Sequence, residues 1–159
     1  MAERLHNKEI TAIYTSSHHR ATETAMEINR WHNLPLHKIP ELEEQDLGIL
    51  AGHKRNDLSA ELEATYKRSR KNPDYRIPGG ESFNDLVQRL RPIIEKIVKI
   101  EGNVLVVAHG RVTKAIIHIL TGKTFPEVMA MTIPNGGLVE IDVLNGKGHI
   151  IHADETSSA

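Results

Sequence analysis

The stretch VVAHGRVTKA, Val106 to Ala115, decides the fold. It opens as an apolar, β-branched run, breaks at His109-Gly110, and continues with apolar residues at helical spacing. The run from Asn103 to Ala108 predicts a strand buried on both faces, as in a parallel sheet. Val112, Ala115, Ile116, Ile119 and Leu120 predict the following helix, closed by Gly122. His109 and Gly110 therefore stand where a strand hands over to a helix N-terminus, beyond the carboxyl end of a sheet. Open α/β sheets bind ligands at that place.

Working outward, strand and helix patterns alternate. Ile10 to Tyr14 predicts a short buried strand, followed by the polar turn Thr15-Ser16-Ser17. A helix is predicted from Arg20 to His32, with Ala21, Thr24, Ala25, Ile28 and Trp31 on one face. Leu36 to Ile39 predicts a short strand, and Glu41 to His53 a loop punctuated by Gly48 and Gly52. Leu58, Leu62 and Tyr66 form a thin apolar stripe along a surface helix from Asp57 to Arg70. Asn72 to Ser82 is turn-rich, with Ser82 placed to cap the next helix. That helix has the strongest pattern: Phe83, Leu86, Val87, Leu90, Ile93, Ile94, Ile97 and Val98, with Pro92 expected to bend it. Two strands, Gly137 to Val143 and His149 to Ala153, are joined by a turn at Asn145 to Gly148. The order predicts an α/β protein with a mostly parallel sheet and helices on both faces. One domain is expected over residues 1–153, with a frayed tail over 154–159.

Composition narrows the function. The chain has 159 residues, 39% hydrophobic and 26% charged, with a formal net charge of -1. That balance predicts no general attraction to nucleic acid or to acidic membranes. With no cysteine there is no thiolate zinc site and no disulfide, which fits a reducing compartment. No apolar run reaches the ~20 residues that span a bilayer, and the first residues lack a signal-peptide core, so a cytoplasmic location is expected. Ten histidines are scattered without a His-Glu-x-x-His pattern. His149 and His152, three apart on a strand, face opposite sides, so no metal site is expected.

Two strand ends carry polar groups suited to one ligand. Thr15-Ser16-Ser17 leads into Arg20, and Ala108-His109-Gly110 leads into the later helix. The first N–H groups of a helix attract anions. Arg20 adds a permanently charged, planar donor, and a protonated His109 adds another. Gly110 has no side chain to obstruct a ligand. A phosphate-like ligand is expected, with Arg20, His109 and Gly110 as its binding residues and Ser16 beside them.

These segments resemble the histidine phosphatase superfamily, the phosphoglycerate mutase-like fold. YTSSHHRATETA (Tyr14 to Ala25) is similar to its segment Tyr-Ser-Ser-Pro-Leu-x-Arg-Ala-x-x-Thr-Ala. LEEQDLGILAG (Leu42 to Gly52) is similar to its Leu-x-Glu-x-x-x-Gly-x-x-x-Gly. PGGESFNDLVQRL (Pro78 to Leu90) and VLVVAHG (Val104 to Gly110) resemble two later signatures, with a leaning to the fructose-2,6-bisphosphatase branch. The resemblance implies a three-layer α/β fold and phosphoryl transfer from a phosphate monoester without a metal or cofactor. It assigns Arg20 to clamping phosphate, His109 to stabilising the transferring group, and Glu44 to protonating the leaving oxygen. Glu81 either caps the following helix or lines the pocket.

One family element does not occur in the 159 residues: the Arg-His-Gly whose histidine is the nucleophile. The resemblance thus starts partway in. It implies a missing first strand between those matching Ile10–Tyr14 and Val104–Ala108. Those two strands are then expected either to pair directly or to take a partner between them, as in a homodimer. Turnover is expected to be impaired, the alternative being an inactive protein that binds a phosphorylated small molecule or another protein.

Overall fold

The computed structural model describes residues 2–154. Its frame is a parallel three-stranded sheet in the order β2-β1-β3, with β1 at Ile10–Ser16, β2 at Leu36–Ile39 and β3 at Asn103–Val107. The β1–β3 register runs from Ile10 opposite Asn103 to Thr15 opposite Val107, with an irregularity between Ile10 and Ala12. Side chains alternate across a strand. Ile13, Leu105 and Val107 accordingly face one cluster, while Tyr14, Val104 and Val106 face another.

Each face carries helices. On the first, α1 (Ala2–Leu5) and α2 (His19–Asn29) bury Leu5, Ala21, Ala25 and Ile28. A surface helix, α3 (Ala60–Lys71), follows β2 and is capped by Ser59, whose Oγ accepts from Leu62 N. The larger core lies on the other face. There α4 (Phe83–Ile97) buries Phe83, Leu86, Leu90 and Ile94, against Val112, Ala115 and Ile117 of α5 (Gly110–Thr121). Ser82 and Asp85 close a reciprocal capping box at the start of α4. A short α6 (Phe125–Ala130) adds Phe125 and Val128. This is the layered α/β arrangement that the strand-helix alternation predicts.

The chain ends in an antiparallel hairpin, β4 (Val139–Leu144) with β5 (Lys147–Ala153), forming a separate two-stranded sheet. Its turn is tighter than expected. Asn145 and Gly146 both have positive φ, 52° and 77°, the pattern of a two-residue hairpin loop.

The strands matching Ile10–Tyr14 and Val104–Ala108 pair directly, the first of the two arrangements expected of them. Other expectations need correction. β3 is only half-buried over Val104 to Val106, because it is an edge of its sheet rather than a central strand. α2 stops at Asn29, whose side chain bonds both the N–H and the carbonyl of Leu34, while Asn33 turns left-handed at φ 51°. Trp31 therefore leaves the helical stripe and is 57% exposed. The expected frayed tail lies outside the described residues from 155 onward. Asp154 itself is held, exchanging hydrogen bonds with Leu138 and pairing with Arg4.

The energetic centre of the fold is α4 on α5. Leu90→Ala removes a fully buried side chain and should cost about 2–5 kcal/mol. Met26→Ala, at a position 57% exposed, should change stability by less than about 0.5 kcal/mol. Urea denaturation of the two variants checks both.

Candidate active site

Parallel pairing sets the carboxyl ends of β1 and β3 side by side, and this brings Ser16 next to His109. His109 Nε2 lies 2.8 Å from Ser16 Oγ, and His109 Nδ1 lies 3.0 Å from Arg20 Nη2. A guanidinium can only donate, so Nδ1 must accept. The imidazole proton then sits on Nε2 and is donated to Ser16 Oγ. The same hydroxyl oxygen also accepts from His18 N at 3.2 Å. Ser16 is fully buried and His109 is 7% exposed, whereas Arg20 is exposed and reaches in from α2.

The imidazole is neutral in this setting. Its pKa is lowered from 6.5 to about 4, by burial first and then by the charges of Arg20 and His18. Its one N–H is already given to Ser16 Oγ, and a dianion nearby would favour adding the second proton at Nδ1.

Both helix N-termini at these strand ends lack a side-chain cap. α2 starts after His18 and α5 after His109, and neither residue caps its helix through its side chain. By contrast, α3 and α4 are capped by Ser59 and Ser82. Uncapped first-turn N–H groups are donors awaiting an acceptor. A Cβ placed on Gly110 would meet nothing within 4 Å, so the space before α5 is open.

His18 is the residue that sequence reasoning undervalued. Its ring meets that of His109 edge-on at 5.0 Å. Its Nδ1 is buried without a hydrogen-bond partner, and its Nε2 is 3.7 Å from Glu43. The available signal was its place two residues before Arg20. His19 instead points outward and pairs with Glu23 one turn on.

Glu44 sits half-buried in the loop after β2, where its Oε1 accepts from Gln45 N. Its charge reaches Arg111 on the first turn of α5, but it makes no hydrogen bond to the Ser16–Arg20–His109 group.

Glu81 does not cap α4. Ser82 and Asp85 do the capping. Both oxygens of Glu81 grip Arg89 of α4, each at 2.9 Å, and Oε2 also accepts from Asp46 N. Arg89 in turn donates to the carbonyls of Glu41 and Glu43. The loop bearing Glu44 is thereby tied to α4. Backbone contact tightens the tie: a Cβ on Gly80 would lie 2.4 Å from Asp46 O and 2.6 Å from Gly48 N. Only glycine permits that approach. Among the described residues, no group of three His, Cys, Asp or Glu side chains could hold a metal ion.

Residues 1–156 match the sequence profile of the histidine phosphatase superfamily (branch 1). The chain belongs to that superfamily. It is 36% identical over 122 residues to a metal-independent phosphoserine phosphatase of Arabidopsis thaliana, covering 73% of this chain and 51% of the relative. It is 30% identical over 133 residues to a fructose-2,6-bisphosphatase of Saccharomyces cerevisiae, covering 82% of this chain and 28% of that one. The chain spans between 15% and 28% of the length of the first four curated relatives it matches, all named for 6-phosphofructo-2-kinase, fructose-2,6-bisphosphatase or both.

Solved histidine phosphatase folds match it closely. Bacillus stearothermophilus YhfR superposes with a TM-score of 0.85 at 26% identity, covering 98% of this chain and 79% of that one. A mycobacterial glucosyl-3-phosphoglycerate phosphatase complexed with VO3 gives 0.86 at 22% identity, covering 98% and 81%. No helix of the described residues is long and apolar enough to cross a membrane.

Two predictions follow from the site. The unfolded chain protonates His109 near 6.5, while the fold resists until about 4. Between these values the unfolded state binds more protons, so stability should fall as pH drops from 6.5 toward 4. His109→Gln should flatten that part of a urea-midpoint series. Separately, Glu81→Gln breaks a half-buried, bidentate pair and should cost about 1–3 kcal/mol by the same method.

Proposed function

We propose that the pocket at Ser16, Arg20 and His109 holds the phosphate of a small phosphomonoester, and that the associated chemistry is phosphoryl transfer to water. One observation carries this reading: two uncapped helix N-termini, an arginine without a carboxylate partner among the described residues and a buried histidine converge at adjoining strand ends. The helix N–H groups and the guanidinium donate, and together with an imidazole protonated at Nδ1 they suit a dianion.

Each residue has a part in the proposed reaction. Arg20 is exposed, so its guanidinium can swing from His109 Nδ1 onto the phosphate oxygens and stabilise charge that grows there. His109 keeps its Nε2 proton on Ser16 Oγ, and protonation of the freed Nδ1 gives it a second N–H and a positive charge to present to the phosphoryl group. Gly110 leaves room for the anion against the first turn of α5. When the bond from phosphorus to the ester oxygen breaks, that oxygen needs a proton. Glu44, carried on the braced loop, is the proposed donor. Phosphoserine phosphatase and fructose-2,6-bisphosphatase relatives support a phosphomonoester substrate.

The covalent step of the superfamily uses the histidine of Arg-His-Gly, which the 159 residues do not contain. Nucleophilic catalysis divides one hard displacement into two easier ones. Without that group, the chain is proposed to bind phosphate well and turn over slowly. The same sequence observation favours the second reading, a phospho-ligand-binding protein without turnover.

The experiment has two readouts on the 159-residue chain. Inorganic phosphate should raise the melting temperature, and Arg20→Ala and His109→Ala should each remove most of that rise. An unchanged melting temperature in the unsubstituted protein would refute the phosphate pocket. In an aryl phosphate assay, turnover that both variants lose would establish hydrolysis. Phosphate binding with no turnover would leave the binding reading.

A further inference from the structure

His18 adjoins the phosphate pocket but has no part in the reaction proposed above. It links β1 to α2 in an extended conformation, with φ -62° and ψ 136°. Its N–H donates to Ser16 Oγ, the oxygen that also receives His109 Nε2. The His18 side chain is 40% exposed, yet its Nδ1 is buried and, among the described residues, has no hydrogen-bond partner. Its ring meets that of His109 edge-on, with centroids 5.0 Å apart. An anion held by Arg20 and His109 would therefore border His18 as well.

Glu43 decides which nitrogen of His18 is left bare. Its Oε2 lies 3.7 Å from His18 Nε2, so the carboxylate favours a proton on that nitrogen and leaves the lone pair on Nδ1. A buried lone pair with no donor is a cost to the fold. It is also the electron pair that a nucleophile needs. The 3.7 Å separation exceeds a hydrogen bond, so Glu43 orients the ring without locking it. The half-exposed ring can turn about its own side-chain bonds toward a bound phosphate.

The same loop sets the two ends of a reaction apart. Glu43 is extended, with φ -63° and ψ 153°, so consecutive side chains diverge there. Glu43 reaches His18 at the start of α2, whereas the charge of Glu44 acts on Arg111 in the first turn of α5. A phosphate between the two helix N-termini would have His18 on one flank and the proposed proton donor on the other. Phosphoryl transfer uses that arrangement, because the attacking and leaving atoms lie roughly in line through phosphorus. His19 has no such place, being 87% exposed and paired with Glu23.

We propose that His18 is a nucleophile, which accepts the phosphoryl group of the phosphomonoester on Nδ1 and passes it to water, with Glu43 as its positioning residue. The proposal rests on the phosphate pocket described above and adds the acceptor to it. In the first step the Nδ1 lone pair bonds to phosphorus. The bond from phosphorus to the ester oxygen breaks, and that oxygen takes the proton of Glu44. The phosphorylated ring carries a positive charge, which Glu43 offsets at Nε2. In the second step water attacks phosphorus and gives a proton to the Glu44 carboxylate. The bond from nitrogen to phosphorus breaks, its electrons return to Nδ1, and inorganic phosphate leaves.

The test mixes the 159-residue protein with an aryl phosphate and quenches samples rapidly in alkali, where phosphohistidine survives. Intact-protein mass should show one added phosphoryl group that acid removes. Peptide mapping and phosphorus NMR should place it on Nδ1 of His18. His18→Asn sets an amide oxygen near the position of Nδ1 but has no ring nitrogen to attack with. It should lose both the phosphoprotein and the turnover, while inorganic phosphate still raises its melting temperature. Glu43→Gln, at a side chain 39% exposed, should slow labelling about tenfold by removing the charge at Nε2. The position of the label in the unsubstituted protein decides the matter even where His18→Asn fails to fold. A label on another residue, His109 included, would overturn the proposal. So would turnover without a phosphoprotein, or turnover that His18→Asn leaves unchanged. Neither label nor turnover, with phosphate still raising the melting temperature, would overturn His18 as acceptor and leave the phosphate pocket standing. A melting temperature that phosphate does not move in the unsubstituted protein would overturn both readings.

Discussion

Direct parallel pairing of β1 with β3 is the constraint on which the site depends. Hydrogen bonds along that ladder fix Thr15 opposite Val107. The next residues of each strand, Ser16 and then Ala108-His109, have to emerge at the same edge. Each strand is immediately followed by a helix that must return over its own face of the sheet. The geometry that builds the core therefore also stacks two helix N-termini beside one another, with Arg20 and His109 on their first turns. No separate device is needed to assemble an anion site. What the sequence adds is the withholding of side-chain caps at α2 and α5.

The same arrangement explains the low basicity of His109. Burying an imidazole next to an arginine and a second histidine penalises its cation. The structure keeps the histidine neutral and uses Arg20 as donor to Nδ1. In the proposed function a phosphate dianion would reverse both effects, because it attracts the guanidinium and stabilises an added proton.

Much of this was legible from residue spacing. The α4 pattern from Phe83 to Ile97 and its Ser82 cap are local signals that a helix cannot avoid expressing. The strand-to-helix break at His109-Gly110 located one half of the site, and Thr15-Ser16-Ser17 with Arg20 located the other. The illegible parts are those set by tertiary context. Trp31 fits the helical stripe, yet the side chain of Asn29 turns the chain toward Leu34 before the helix reaches it. The run Asn103 to Ala108 reads as doubly buried, but a strand's apolar residues do not say whether a neighbour lies on each side, and β3 has only β1. Glu81 looked like a pocket or cap residue because its segment resembles a family signature. Its real partner, Arg89, lies two turns along α4 and carries no mark of that pairing in sequence.

These findings divide the site into a fixed part and an adjustable one. Ser16 and His109 are buried at the ends of paired strands and cannot move without breaking the sheet. Glu44 is less constrained, but Arg89 binds the carbonyls of Glu41 and Glu43 just before it, and the Gly48–Gly80 backbone approach leaves no space for slack after it. Both the phosphate floor and the proton donor are thus referred to α4 and the sheet. The segment bearing Arg55 and Arg70 is different. Its helix buries only Ser69, and Arg70 is anchored to the rest of the molecule by one hydrogen bond to Met129 O. A surface helix with so little burial can change in sequence or position at small cost to stability. The sheet ends, which carry the proposed phosphate pocket, cannot.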